Sequence, residues 1–188
     1  LQDWLRLATA ILILSLATGH ARAQGPGKDF IPLNPPQPTA SGGKVEVIEF
    51  FAYTCPHCHA LQPALESWLK GNLADVEFRR IPVVFQDAML PFARIYYTLE
   101  AMGLLGKLHL EVFDAFHNQR VRVQDPKALF DWVASKGVDR KKFEDAYNSF
   151  SVQSLTKRAA ELTRRYGISF TPAVVWTRSA ISGANRLC

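Results

Sequence analysis

The chain has 188 residues, of which 48% are hydrophobic and 21% charged, and its formal net charge at pH 7 is +5. This length suits one domain, or one domain with an insertion, that buries a substantial core. Basic and acidic residues are interleaved, and clusters such as Arg79-Arg80 are short. Because nucleic-acid binding requires a clustered basic face, the composition argues against a nucleic-acid partner.

The N-terminal segment is typical of a secretory signal peptide. Residues 7–18 form an uncharged apolar run after Arg6, and residues 21–23, Ala-Arg-Ala, have the form of a cleavage site. The run is shorter than the roughly 20 apolar residues that span a bilayer, although an uncleaved anchor is the alternative. We predict a signal peptide over residues 1–23 and export to an oxidising compartment. A Pro- and Gly-rich leader over residues 24–43 follows.

Two apolar segments with strand character flank a helical one. Strands are predicted over residues 45–52 and 76–85, and the strand nearer the N-terminus contains one carboxylate, Glu49. Between them, residues 60–69 have the helical period, with a predicted apolar face made of Leu61, Leu65, Trp68 and Leu69. Pro63 removes one hydrogen bond from this helix and predicts a kink. Strand, helix and strand at this spacing predict a βαβ unit with a parallel strand pair.

Helical character replaces strand character after this unit. Helices are predicted over residues 91–102 and 107–118, from Asp125-Pro126 to Gly137, from Asp139 onward, and over 154–166. Aromatic residues along this segment are expected to form its core: Phe92, Tyr96, Phe113, Phe116, Phe130, Trp132 and Phe143. Strand character returns over residues 170–176, where Pro172 is expected at the start of the strand because it cannot donate to a strand ladder.

Cys55 and Cys58 lie where the first strand passes into the helix. Two cysteines three apart at such a turn are the signature of a thiol–disulfide redox site. A helix N-terminus presents unpaired N–H groups and partial positive charge, which stabilise a thiolate at Cys55. Cys58, one turn further, is expected to face inward and resolve the mixed disulfide. Pro56 suits the first turn because it has no N–H to lose, and His57 adds a donor beside the sulfur.

A lowered pKa at Cys55 makes the pair oxidising. Each unit below the ambient pH stabilises the thiolate, and therefore the reduced form, by about 1.4 kcal/mol. For a two-electron couple this raises the reduction potential by about 30 mV. The site therefore favours giving its disulfide away.

The cysteine pair could also bind zinc or form a purely structural disulfide. Zinc bound by the cysteines with His57 and His59 would need a second ligand pair, and the remaining histidines have no neighbour at the required spacing. A purely structural disulfide across so short a loop would gain little unfolded-state entropy. The sequence therefore predicts neither a metal nor a cofactor.

The segment over residues 47–58, Val-Ile-Glu-Phe-Phe-Ala-Tyr-Thr-Cys-Pro-His-Cys, resembles the active-site segment of DsbA-type thiol:disulfide interchange proteins. That family is itself the standard example of an acidic cysteine in a strong periplasmic oxidant. The resemblance runs from about Asp29 to Trp176 and implies an α/β, thioredoxin-like fold with an inserted all-helical domain. The thioredoxin-like parts would span residues 44–84 and 171–188, the second incomplete, and the insertion residues 85–170.

The resemblance implies roles for the residues around the cysteines. Cys55 matches the nucleophile and Cys58 the resolving thiol, and together they would form the redox disulfide. Pro56 and His57 match the dipeptide that tunes the potential. Glu49 matches a buried acid beneath the site that accepts a proton from Cys58. The alternative for Glu49 is a charge satisfied by a partner that the sequence does not reveal.

Thr171 and Pro172 match the substrate-binding loop that faces the disulfide, where the family's proline is cis and the backbone pairs with an extended substrate. The implied activity is a periplasmic dithiol oxidase that donates the Cys55–Cys58 disulfide to exported proteins with free cysteines. A quinone-linked membrane oxidase of the DsbB kind would reoxidise it. The alternatives are an isomerase or reductase of the same fold, or a non-catalytic peptide-binding module.

The C-terminal end departs from the family's pattern. In the family, the strand after the cis-proline is followed by another strand and a long helix that covers the sheet. Here residues 177–185 suit a short strand at most, and no helix is predicted after them. We therefore expect a truncated or frameshifted end, with an exposed apolar face that costs about 25 cal/mol per Å². A third cysteine, Cys188, has no predicted role.

Overall fold

The computed structural model describes residues 31–33, 37–38, 43–71, 73–178 and 186–187. The predicted signal peptide, most of the predicted leader and Cys188 lie outside these residues, as does most of the segment after β4.

The described part of the chain contains a five-stranded mixed sheet. Its strands are β1 (Ile31–Pro32), β2 (Val45–Phe51), β3 (Val76–Pro82), β4 (Ala173–Arg178) and β5 (Arg186–Leu187). They lie in the order β1-β5-β4-β2-β3. Strand β2 pairs parallel with β3 and antiparallel with β4, while β5 pairs antiparallel with β4 and β1. The predicted parallel pair is therefore confirmed, and β2 carries the chain toward the cysteines with strands on both sides.

Six α-helices lie in the described residues. They are α1 (Pro56–Leu69), α2 (Leu90–Ala101), α3 (Leu105–His117), α4 (Pro126–Ser135), α5 (Arg140–Tyr147) and α6 (Phe150–Arg165), and a 3-10 turn (Asp87–Met89) precedes α2. Helix α1 joins β2 to β3, and the other five lie between β3 and β4. The predicted α/β class, with a run of helices between two sheet segments, is confirmed.

Several element boundaries differ from the prediction by a few residues, and three of them concern the strands and helix around the site. Strand β3 ends at Pro82, because the backbone N–H of Val84 leaves the sheet and donates to Oγ1 of Thr163 in α6, at 3.3 Å. Helix α6 begins at Phe150, four residues early, because the hydroxyl of Ser149 accepts from the N–H of Val152 and caps the helix. Strand β4 begins directly after Pro172.

The buried face of α1 is also different from the predicted one. Cys58 and Gln62 are fully buried and Leu65 is 9% exposed, whereas Trp68 is 40% exposed and Leu61 only partly buried. Leu65 was predicted on the buried face, but Cys58 and Gln62 were not, because the hydrophobic period considers apolar side chains only. The helix itself runs from Pro56 to Leu69 without a break at Pro63, which is exposed.

The helices after β3 share an aromatic core with the sheet. The rings of Phe51 and Tyr53, at the end of β2 and just after it, pack against rings of α2 and α3. The predicted core aromatics Phe92, Tyr96, Phe113, Phe130, Trp132 and Phe143 are buried, and Phe116 is half-buried against them. Within the described ranges, no helix combines the length and apolarity that a bilayer crossing requires.

Candidate redox-active site

Cys55 occupies the N-cap of α1, directly after the turn that follows β2. Its backbone N–H donates to the carbonyl oxygen of Ala52 at 3.0 Å, which closes the turn. Its Sγ lies 3.3 Å from the backbone nitrogen of Cys58, which donates to it as a capping interaction. Pro56 takes the first helical position, as predicted, since no N–H is needed there. Both Cys55 and Cys58 are free thiols in this structure.

The surroundings of Cys55 favour its thiolate. Partial burial raises the pKa of the Cys55 thiol, but hydrogen bonding to the Thr171 side chain, to Cys58 and to the backbone of His57 outweighs it, so the net pKa is lowered. The Sγ also lies 3.4 Å from the carbonyl oxygen of Thr171, which as an acceptor can bind only the protonated thiol and is not among the groups that favour the thiolate. The His57 side chain is exposed, and His57 lowers the Cys55 pKa through a hydrogen bond from its backbone N–H.

The surroundings of Cys58 instead favour its protonated thiol. Its side chain has 0% exposure, as predicted for the inward-facing thiol. Burial, with a smaller contribution from the neighbouring Cys55, raises the pKa of the Cys58 thiol to about 12. The two sulfurs therefore differ in character: one is stabilised as a thiolate at the surface, and the other is held as a thiol beneath it.

Glu49 lies in β2 with 0% exposure. Its Oε1 accepts from Nε2 of Gln62 at 2.8 Å, and its Oε2 accepts from Nε of Arg80 at 2.9 Å. Burial raises the pKa of the Glu49 carboxyl, and the charge of Arg80 and the hydrogen bond from Gln62 offset part of that rise. The partner that the sequence left unidentified is thus Arg80.

Gln62 and Arg80 connect this carboxylate to Cys58 and to the surface. Nε2 of Gln62 also donates to the carbonyl oxygen of Cys58 at 3.2 Å. The guanidinium of Arg80 donates to Oε1 of Glu66 at 2.7 Å, and the Glu66 side chain is 36% exposed. A continuous polar path therefore runs from the backbone of Cys58 to solvent.

Sequence reasoning missed both connecting residues. In the sequence, Arg79 and Arg80 stood out only as a short basic cluster, yet both lie in β3, and each forms an ion pair with a glutamate of β2. The parallel register sets Glu49 directly opposite Arg80, so pairing the two predicted strands would have found it. Gln62 follows Cys58 by four residues, which puts both on one helix face.

The loop before β4 reaches the same site. Thr171 contacts Cys55, and the Thr171–Pro172 peptide bond is cis. The structure therefore brings Cys55, Cys58 and Thr171 together, with Glu49 connected through Gln62. Pro56 and His57 lie exposed at the start of α1. Among the residues described, no group of three or more His, Cys, Asp or Glu side chains is arranged to hold a metal ion.

A sheet with a Cys-x-x-Cys pair at the start of the helix that follows an inner strand, and a Thr-Pro loop beside the N-terminal cysteine, defines a thioredoxin-like thiol:disulfide oxidoreductase. Residues 46–188 match the DSBA-like thioredoxin domain, and the chain belongs to that family. Its activity is accordingly that of a protein dithiol oxidase. The predicted resemblance and the thioredoxin-like fold are both confirmed.

Individual relatives agree with this assignment. The chain is 44% identical over 174 residues to the thiol:disulfide interchange protein DsbA of Burkholderia cepacia, covering 90% of this chain and 82% of that protein. The crystal structure of Pseudomonas aeruginosa DsbA is 35% identical and covers 85% of this chain and 81% of its own, with a TM-score of 0.77. Reduced DsbA1 from Neisseria meningitidis is 32% identical and covers 88% and 86%, with a TM-score of 0.76.

Proposed function

We propose that the chain donates the Cys55–Cys58 disulfide to exported proteins as they fold, with Cys55 as the sulfur that substrates attack. The observation that carries this proposal is the opposite shift of the two thiols, with the pKa lowered at Cys55 and raised to about 12 at Cys58. A couple whose reduced form contains a stabilised thiolate gives up its disulfide readily. The direction of transfer is therefore from this protein to its substrate.

The reaction consists of two thiol–disulfide exchanges. A substrate thiolate attacks Sγ of Cys55, a substrate–Cys55 bond forms, the Cys55–Cys58 bond breaks, and Cys58 leaves with the electron pair and takes up a proton. The substrate's second thiolate then attacks its own sulfur in the mixed disulfide, and Cys55 leaves as a thiolate. The lowered pKa of Cys55 speeds this second step, because low-pKa thiols leave faster.

Glu49 would exchange the proton that the first step requires. A Cys58 thiolate with a raised pKa is a poor leaving group unless it is protonated as it forms. Burial raises the pKa of Glu49, which places a proton-carrying carboxyl closer to neutral pH than an exposed one would be. Gln62 joins Glu49 to the Cys58 backbone, and Arg80 joins it to the exposed Glu66. These contacts hold the Glu49 carboxyl at a fixed position between β2 and the first turns of α1.

Thr171 and Pro172 would hold the substrate. The loop that they form lies against Cys55 immediately before β4. An extended substrate segment can pair with the backbone of such a loop through main-chain hydrogen bonds, largely regardless of its sequence. This mode suits an enzyme that oxidises many different unfolded chains.

The predicted signal peptide and the family together support a periplasmic location. Each donated disulfide leaves two electrons and two protons on Cys55 and Cys58, so an oxidant must remove them before another turnover. We propose a quinone-linked membrane oxidase of the DsbB kind for this step. Substrates would be exported proteins that carry free cysteines.

A redox equilibrium with glutathione, combined with oxidation of a reduced client protein, tests the proposal. The expected midpoint lies well above the thioredoxin value of about −270 mV, and a midpoint near that value would overturn the direction of transfer. Cys55→Ala should abolish client oxidation. Cys58→Ala should instead accumulate a mixed disulfide with glutathione, formed when Cys55 attacks oxidised glutathione and one glutathione thiolate leaves. Unchanged client oxidation by Cys55→Ala would indicate a non-catalytic peptide-binding module instead.

A further inference from the structure

One stripe of helix α3 lies against the residues on both sides of the cysteine pair. The stripe consists of His109, Phe113 and His117, which are four residues apart and therefore share one helix face. Helix α3 belongs to the helical segment between β3 and β4, so these side chains reach the site from outside the sheet. None of them has a role in the proposed transfer of electrons or protons.

The stripe contacts the hydroxyl, the ring and the backbone carbonyl of Tyr53, the residue two before Cys55. Oη of Tyr53 lies 2.9 Å from Nδ1 of His109, and the Tyr53 ring meets Phe113 edge-on with the centroids 4.9 Å apart. The carbonyl oxygen of Tyr53 lies 2.9 Å from Nε2 of His117. A carbonyl oxygen accepts only, so His117 donates this hydrogen bond through Nε2.

The same stripe contacts the residue that follows Cys58. The ring of His59 stacks on Phe113 with the centroids 5.4 Å apart and the planes 4° from parallel. It stacks on His117 as well, at 5.3 Å and 17°. The segment from Tyr53 to His59 is therefore held at both ends by one rigid helix.

The burial of His109 in the core costs folding free energy. It is 3% exposed, and its Nε2 has no hydrogen-bond partner in the described part of the chain. A buried polar atom without a partner typically costs about 1–3 kcal/mol, a cost that an apolar side chain at this position would avoid. What the imidazole supplies in return is the hydrogen bond to the Tyr53 hydroxyl. This balance indicates a positioning function rather than simple core filling.

We propose that His109, Phe113 and His117 form a positioning surface that fixes the redox segment, so that the amides at the start of α1 stay directed at Cys55. His117 is the central positioning residue, because it hydrogen-bonds the backbone of Tyr53 and also stacks on His59, whereas Phe113 contacts these two residues through its ring only. The proposal rests on the proposed function only in taking Cys55 as the reacting thiol.

Two substitutions of His117 separate positioning from mere packing. His117→Leu places an apolar side chain at this position and removes the donor to the Tyr53 carbonyl. His117→Gln instead supplies an amide N–H at a similar reach. In the dithiol protein, His117→Leu should raise the Cys55 pKa by about 0.5 unit or more, read from thiolate absorbance near 240 nm. The equilibrium with glutathione should shift by about threefold or more toward the protein disulfide. His117→Gln should restore both values.

Phe143→Leu is the matched control for lost stability. Phe143 is fully buried in α5, where its ring packs against Phe130 and Tyr147 of the helical segment. This variant should lower the melting temperature without moving the Cys55 pKa. The proposal is overturned if His117→Leu leaves the Cys55 pKa unchanged, or if Phe143→Leu shifts it equally at a similar melting temperature. A low potential in every protein, wild type included, would instead count against the oxidase direction, and the comparison between variants would still test the positioning surface.

Discussion

Glu49 and Arg80 lie directly opposite each other in the parallel β2–β3 pair, and Nε of Arg80 approaches Oε2 of Glu49 to 2.9 Å. The carboxylate side chain is fully buried and the guanidinium is 12% exposed. A second carboxylate, Glu66 of α1, binds the other side of the guanidinium at 2.7 Å. The Glu49 carboxylate is therefore anchored to both the sheet and the helix.

Replacing Arg80 by Met should destabilise the protein. The change leaves a buried carboxylate without its cation, and breaking a buried pair from one side costs about 3–5 kcal/mol at neutral pH. Since Arg80 holds the Glu49 pKa down, its loss raises that pKa further above the unfolded value. A carboxyl with a raised folded pKa favours the folded state below its unfolded pKa and loses that advantage as pH rises. Urea unfolding should therefore show the variant recovering stability between pH 7 and pH 5.

The matching control removes both charges. Arg80→Met combined with Glu49→Gln leaves no buried unpaired charge, so it should be more stable at pH 7 than Arg80→Met alone. Arg80→Lys retains a cation and should fall between Arg80→Met and the wild type. A double variant as unstable as the single one would show that Arg80 contributes through packing and not through its charge.

Glu49→Gln should slow one of the two exchange steps. The amide preserves the shape of the side chain but cannot deliver a proton, so the departure of Cys58 should slow by about 10-fold to 100-fold. The later departure of Cys55 needs no added proton and should keep its rate. Quenched-flow analysis with a dithiol peptide separates formation of the mixed disulfide from its decay. Equal slowing of both steps would contradict a proton-transfer role for Glu49.

His57→Pro and His57→Ala separate the backbone of this residue from its side chain. Proline removes the N–H that helps to stabilise the Cys55 thiolate, whereas alanine retains it. We expect His57→Pro to raise the Cys55 pKa by about one unit, equal to about 1.4 kcal/mol, and His57→Ala to raise it less. Thiolate absorbance as a function of pH measures both. A larger rise in His57→Ala would instead assign the stabilisation to the imidazole.

The lowered Cys55 pKa should appear in the stability of the dithiol protein. Its folded pKa lies below the unfolded value of about 8.5, so the contribution is fully present above pH 8.5 and is lost as pH falls through the folded pKa. The difference in unfolding free energy between the wild type and Cys55→Ser should thus grow as pH rises toward 8.5. Cys58 stays protonated in the folded state over this range. Urea titrations under reducing conditions should show no such slope if the thiolate is not stabilised.

Local sequence pattern was sufficient to predict the cysteine pair and the strand and helix that flank it in the chain. The apolar run before Cys55 and the helix after it depend on neighbouring residues, as does the cap at Cys55, and all three are found where they were predicted. The face of α1 was predicted correctly only at Leu65, because the hydrophobic period assumes that buried positions are apolar. Cys58 and Gln62 are buried as well, and Gln62 donates a hydrogen bond to Glu49 of the sheet.

The sequence by itself determined the redox pair, the α/β class and the resemblance to the DsbA-type oxidants, because these depend on residues close together in the chain. Only the tertiary structure decided what surrounds the pair. Arg80 reaches Glu49 through strand register, and His117 reaches Tyr53 across 64 residues of chain. Such contacts are set by how the sheet and helices pack, since the same residue types at other registers would not meet.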